Sequence, residues 1–105
     1  MLRQVRQRRG LRKAVRRGAK WLDQKHPEWW RQINLHFLSF PSATYCPLGQ
    51  LNLWGNAPDP LTDFGFNGIP GVDERVQEDW MWALSEEYWT REVLKRTSWH
   101  WSDPY

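Results

Sequence analysis

The chain has 105 residues and a mass of 12.7 kDa, enough for one small domain and too little for two. Hydrophobic residues make up 40% and charged residues 26%, which excludes an intrinsically disordered chain. No apolar run is long enough to span a bilayer. Two features stand out: nine tryptophans, and a formal net charge of +3 that conceals a division. Residues 1–20 carry nine Arg/Lys and no acid, whereas residues 21–105 carry six Arg/Lys and twelve Asp/Glu, a net −6. A basic arm leads an acidic, tryptophan-rich body. No apolar segment follows the basic start, so no secretory signal is expected; the Arg-rich opening resembles a mitochondrial presequence in composition but has no Ser or Thr. The lone Cys46 excludes an internal disulfide and a thiolate zinc cluster, and it fits a reducing compartment, the cytoplasm.

In chain order, residues 1–10 read as a basic arm, with Gly10 interrupting the pattern. From Leu11 the helical period is clean. Leu11, Ala14, Val15, Gly18, Ala19 and Leu22 share one side, and Arg12, Lys13, Arg16, Arg17 and Lys20 share the other. That basic stripe is roughly 12 Å long at 1.5 Å per residue. Pro27 is expected to end the helix near Lys25 and to open a short second helix carrying Trp29, Trp30 and Ile33, which Asn34 stops. Residues 35–40 alternate loosely, as an extended segment would. Thr44 reads as the N-cap of a two-turn helix that Gly55 terminates. Residues 55–71 hold four Gly and three Pro and read as loop, pinned to the core by Leu61, Phe64, Phe66 and Ile69. Asp73 is expected to cap the longest helix, 74–97, whose acids lie early and whose Arg91, Lys95 and Arg96 lie late, complementing the helix dipole. Val76, Trp80, Ala83, Leu84, Tyr88 and Leu94 mark one of its faces; Trp82, Trp89 and Val93 mark nearly the opposite one.

The run RRGAKWLDQKHPEWWRQINLHFLS, followed by CPLGQL, resembles a family of small proteins of actinobacteria and their phages. Its pattern is GA-x-x-LD-x-x-x-P-x-W-x-x-x-I-x-L, then a Cys just before LGQL. The matching residues are Gly18, Ala19, Leu22, Asp23, Pro27, Trp29, Ile33, Leu35, Cys46, Leu48, Gly49, Gln50 and Leu51. The aromatic segment from Val72 resembles the family's C-terminal helix, so the likeness covers residues 16–97. Where many relatives follow LGQL with an aromatic and Gly, this chain has LNLWG, so the turn there is expected to differ. The resemblance implies a compact, mostly helical fold and a phage or actinobacterial origin. It supplies no catalytic residues.

The basic stripe is the strongest functional signal, since clustered cations neutralise phosphates in a salt-dependent and largely sequence-independent way. The bland alternative is a solvated terminus whose charges aid solubility or pair with the acidic body. No helix-turn-helix, zinc-finger or aromatic RNA-binding signature is present. Trp21, Trp29, Trp54 and Trp80 sit beside aliphatic residues and are expected to fill the core. Trp82, Trp89 and Val93 are either the second buried face of a sandwiched helix or a docking surface, and Trp99 and Trp101 in the tail are the better docking candidates. Cys46, beside Pro47 and Leu48, reads as a packed cysteine and not a nucleophile. The three His share no metal-ligand spacing, Asp59 and Asp63 do not make a calcium loop, and Gly65, Gly68 and Gly71 read as turns. No catalytic residue, metal or cofactor is expected.

The expected fold is a small, mostly α single domain over residues 11–105: a basic N-terminal helix, two short helices, a Gly/Pro-rich loop, one long C-terminal helix and an aromatic tail. Ala14, Gly18 and Ala19 are expected to let Trp80 or Leu84 approach closely. The expected function is that of a non-enzymatic accessory protein contacting nucleic acid through Arg12, Lys13, Arg16, Arg17 and Lys20. The alternative is an interaction module docking on a host protein through Trp82, Trp89, Val93, Trp99 and Trp101. No membrane partner is expected, and the sequence leaves the oligomeric state open.

Overall fold

The apolar period between Leu11 and Leu22 is realised as helix α1, Leu2–Lys25, whose buried side is Leu11, Ala14, Val15, Gly18, Ala19 and Leu22. A computed structural model describes residues 2–101, with the side chains of residues 4–73 and 75–97. The helix starts at Leu2 instead of Leu11 and runs through Gly10. The Arg and Gln residues around that glycine are good helix formers, and one glycine costs only about 1 kcal/mol relative to alanine. At the other end the His26 N–H still reaches the Leu22 carbonyl at 2.8 Å, and Pro27 then has no N–H to continue the ladder.

Pro27 does not open the next helix. It sits in an exposed turn, Glu28 takes a left-handed φ of 63°, and a single 3₁₀ turn, Trp29–Gln32, follows. The reversal swings Trp29 back beneath α1, where its indole N–H donates to Asp23 Oδ1 at 2.8 Å. Residues 35–37 form a turn, not an extended segment. The next helix, α2, is one turn, Pro47–Gln50, with Cys46 at its N-cap position. Thr44 instead lies in a turn held by Ser42 Oγ, which accepts the N–H groups of Thr44 and Tyr45 at 3.2 and 3.0 Å. The loop that follows carries 3₁₀ turns at Trp54–Asn56, Leu61–Phe64 and Glu74–Val76, the first of which contains Gly55, the expected terminator. Phe66 and Ile69 are buried, and Leu61 and Phe64 pack against the core, as expected.

The C-terminal helix α3, Asp79–Trp101, begins later than the pattern indicates. Asp73 Oδ1 accepts the Arg75 N–H at 2.9 Å, capping the 3₁₀ turn and not the helix. Gln77 explains the break. Its amide donates to the carbonyls of Ile69 and Val72 and accepts the Ile69 N–H, all within 3.1 Å, so its side chain is committed to the loop. Among the described residues there is no strand, and α3 lies against both α1 and the Trp29 turn.

The centre of the core is Trp89, 0% exposed. Its ring stands edge-on to Trp29 at 5.8 Å, stacks on Phe66 at 5.0 Å, and donates its N–H to the Gly65 carbonyl at 2.7 Å. Gly18 makes this possible. A side chain there would collide with the Phe64 carbonyl and crowd the Trp89 ring edge, so Gly18 admits Trp89 and the loop backbone. Gly65, at φ 73°, has its backbone against Val15, where a Cβ has no room. The buried face of α3 is accordingly Met81, Leu84, Ser85, Trp89 and Val93, whereas Val76 and Leu94 are exposed. Both faces of α3 are apolar; the buried side takes Leu84 from one and Trp89 and Val93 from the other, and the Trp89 N–H finds its acceptor there in the Gly65 carbonyl.

Candidate nucleic-acid interface

Arg12, Lys13, Arg16, Arg17 and Lys20 are all exposed on the face of α1 opposite the core, and Arg6, Arg8 and Arg9 carry the exposed charge toward the N-terminus. Their three- and four-residue spacings place them as neighbours on the helix surface. The small, tightly packed inner face holds this array on a fixed scaffold. Arg17 Nη1 donates to the Asp63 carbonyl at 3.3 Å, which ties one edge of the array to the loop.

The opposite edge meets α3. Arg12 and Arg16 face Arg91 and Lys95 across a cleft of about 160 Å³, with Val15, Tyr88 and Glu92 completing its walls. Sequence reasoning missed Arg91 and Lys95 as surface partners of the stripe. Their four-residue spacing on α3 was a visible signal, but it reads equally well as the cationic end of a helix dipole.

Beneath the cleft lies an ion-paired anchor between the helices. Arg96, only 8% exposed, donates from Nε and Nη2 to the two carboxylate oxygens of Asp23 at 2.9 and 2.7 Å. Its Nη1 reaches Glu92 Oε1 at 2.9 Å and the Glu92 carbonyl at 3.0 Å, and its guanidinium lies 5.4 Å from the Trp29 ring centre. Burial pushes the Asp23 carboxyl upward, but the hydrogen bonds from Arg96 and Trp29 outweigh it and hold the group below its ordinary value. Burial likewise works against the Arg96 charge, and the bonds to Asp23 and Glu92 overcome it, so Arg96 is held above its ordinary value.

The tryptophan candidates separate. Trp89 and Val93 are core residues and present no docking surface, because the loop and the Trp29 turn cover that face of α3. Trp82 is half-buried and stacks on Phe40 at 6.4 Å. The side chains of Trp99 and Trp101 lie outside the described residues. Trp54, expected in the core, is 42% exposed, and its indole N–H donates to the Ala43 carbonyl at 2.8 Å. Trp29 is buried as expected, and Trp21 and Trp80 are half-buried against the core.

Cys46 is buried, its thiol directed at the Ala43 carbonyl at 4.0 Å, and burial holds the thiol above its ordinary value in spite of nearby backbone N–H groups. A thiol in that state is a poor nucleophile. Among the described residues no group of His, Cys, Asp or Glu is arranged to hold a metal ion, and no helix is long and apolar enough to cross a membrane. Comparison with protein-family models, with curated proteins and with solved structures finds no match to this chain.

Proposed function

We propose that this chain is a non-enzymatic accessory protein, of phage origin and acting in the cytoplasm, that contacts nucleic acid through the basic face of α1. The observation that carries the reading is the exposure of Arg12, Lys13, Arg16, Arg17 and Lys20 on one face of a helix whose other face is locked into the core. Cations displayed in this way engage phosphates and release condensed counterions, giving affinity that falls steeply with salt. Such contacts position a protein on the backbone without reading bases. The phage origin rests on the sequence resemblance alone. Docking on a host protein through Trp82, Trp89, Val93, Trp99 and Trp101 is the weaker reading, since two of the five residues are committed to the core.

The test is the double substitution Arg16→Glu with Arg17→Glu. Retention on DNA or RNA at low salt is expected to be lost while the helical circular-dichroism spectrum is kept. Undiminished retention by the folded variant overturns the reading.

A further inference from the structure

The outer side of the α1–α3 junction has a character that neither helix has alone. In sequence the body after residue 20 is net acidic, yet α3 turns Arg91 and Lys95 toward Arg12 and Arg16 of α1 across one cleft. At about 160 Å³ the cleft is smaller than the roughly 300–1,000 Å³ of pockets that enclose whole small molecules, so it suits a single charged group. Arg91 is already positioned there. Its Nη2 donates to Glu87 Oε1 at 2.8 Å and its guanidinium lies over the Tyr88 ring, 5.4 Å from the centre. A side chain ordered before binding loses less freedom on binding, and a guanidinium has five donors, so one bond to Glu87 leaves others to offer. The acid in the wall, Glu92, would repel an anion if left alone. Its Oε1 is instead bonded to Nη1 of the buried Arg96, whose charge opposes that of the carboxylate. Arg96 is shared with Asp23, so Arg96, Asp23 and Glu92 together keep one net negative charge, and the four cations that line the cleft outnumber it.

We infer that the α1–α3 cleft seats one phosphate group between Arg12 and Arg16 on one wall and Arg91 and Lys95 on the other. The inference rests on the nucleic-acid reading in taking that group to be a backbone phosphate, with Lys13 and Lys20 contacting neighbouring phosphates outside the cleft. It makes Arg91 and Lys95 binding residues, although they lie in the acidic part of the chain. It also gives the basic face a fixed notch, so that one phosphate is held from two helices while the others are met only by α1.

The test compares the salt dependence of DNA-duplex binding for the full chain, for Arg91→Gln with Lys95→Gln, for Lys13→Gln with Lys20→Gln, and for Arg75→Gln, a control outside the cleft lining and the α1 helix. Each lost phosphate contact lowers the slope of log K against log salt by about one. The α1 pair, which meets two phosphates, is expected to lower it by about two, the α3 pair, which meets the one phosphate in the cleft, by about one, and Arg75→Gln to leave it unchanged. Arg91 and Lys95 are exposed, so both Gln substitutions are compatible with folding, which circular dichroism verifies. If the α1 pair lowers the slope and the α3 pair does not, the cleft inference is overturned and the α1 reading stands. If only the α3 pair lowers it, the cleft stands and the contacts assigned to Lys13 and Lys20 are overturned. A parallel titration with inorganic pyrophosphate alone, followed by the Arg91 side-chain NMR signal, separates the sources of phosphate. Saturation by pyrophosphate without DNA binding upholds the site for a free anion and overturns the backbone reading. Absence of both overturns the inference and the function together.

Discussion

On the inner side of the α1–α3 junction, Gly18 lets the helix backbone press against Trp89 and the Phe64 carbonyl; on the outer side, Arg12 and Arg16 stand across from Arg91 and Lys95. The same two helices thus make one contact governed by volume and another governed by charge. The inner contact excludes water and draws its stability from buried apolar area, which salt hardly touches. The outer one stays open to water and contributes little to stability. Arg96 joins the two regimes, because it lies over Trp29 in the core and bonds Glu92 in the wall of the cleft.

The largest expected effect comes from breaking the inner side. Trp89→Ala removes the residue on which Trp29, Phe66 and the Gly65 carbonyl converge, and such changes cost about 3–5 kcal/mol. A domain of this size has only about 5–15 kcal/mol in total, so the thermal unfolding transition is expected to fall sharply or disappear. A shift of a few degrees would mean that the core is centred elsewhere. Arg96→Met ranks next. It leaves Glu92 unpaired beneath the cleft and Asp23 without its fork, at a cost of about 2–3 kcal/mol, less than for a fully buried pair because Asp23 remains partly open to water. Urea titration measures it, and a neutral result would detach the anchor from the stability of the fold.

The anchor also predicts a pH dependence. Asp23 has a folded-state pKa below its ordinary 3.8, so the folded chain binds fewer protons there than the unfolded chain and stability rises with pH through that window. The advantage of the parent chain over Asp23→Asn is expected to be fully present above pH 3.8 and to shrink as pH falls through the depressed folded value. Urea midpoints of the two chains across that range test the sign, and a gap that widens in acid would contradict it. The smallest effect on stability belongs to the outer side: Lys13→Gln with Lys20→Gln is expected to change stability by less than about 0.5 kcal/mol, while weakening DNA retention. A large loss of stability would show that these lysines serve the fold.

How legible each side is in the sequence follows from the same contrast. The α1 face is readable because Leu11, Val15, Gly18, Ala19 and Leu22 keep one period while every cation avoids it. The α3 face is not, because apolar residues lie all round it and the period cannot choose between Trp80 and Trp89; the choice is made by Gly18 and by the Gly65 carbonyl, one distant in the chain and the other in a loop. The late start of α3 depends on Gln77 bonding back to Ile69 and Val72, which composition does not announce. The cleft is half legible. Its α1 wall is the basic stripe itself, whereas its α3 wall emerges only when the two helices are laid side by side, and until then Arg91 and Lys95 read as complements of a helix dipole.

The most direct measurement of the central claim is the set of ¹⁵N side-chain signals of the arginines in the full chain as a DNA duplex is added. The account predicts that Arg12, Arg16 and Arg91 shift together and saturate at one concentration, and that Arg75 stays in place. Shifts confined to arginines outside the α1–α3 cleft, or no shift at low salt, would contradict it.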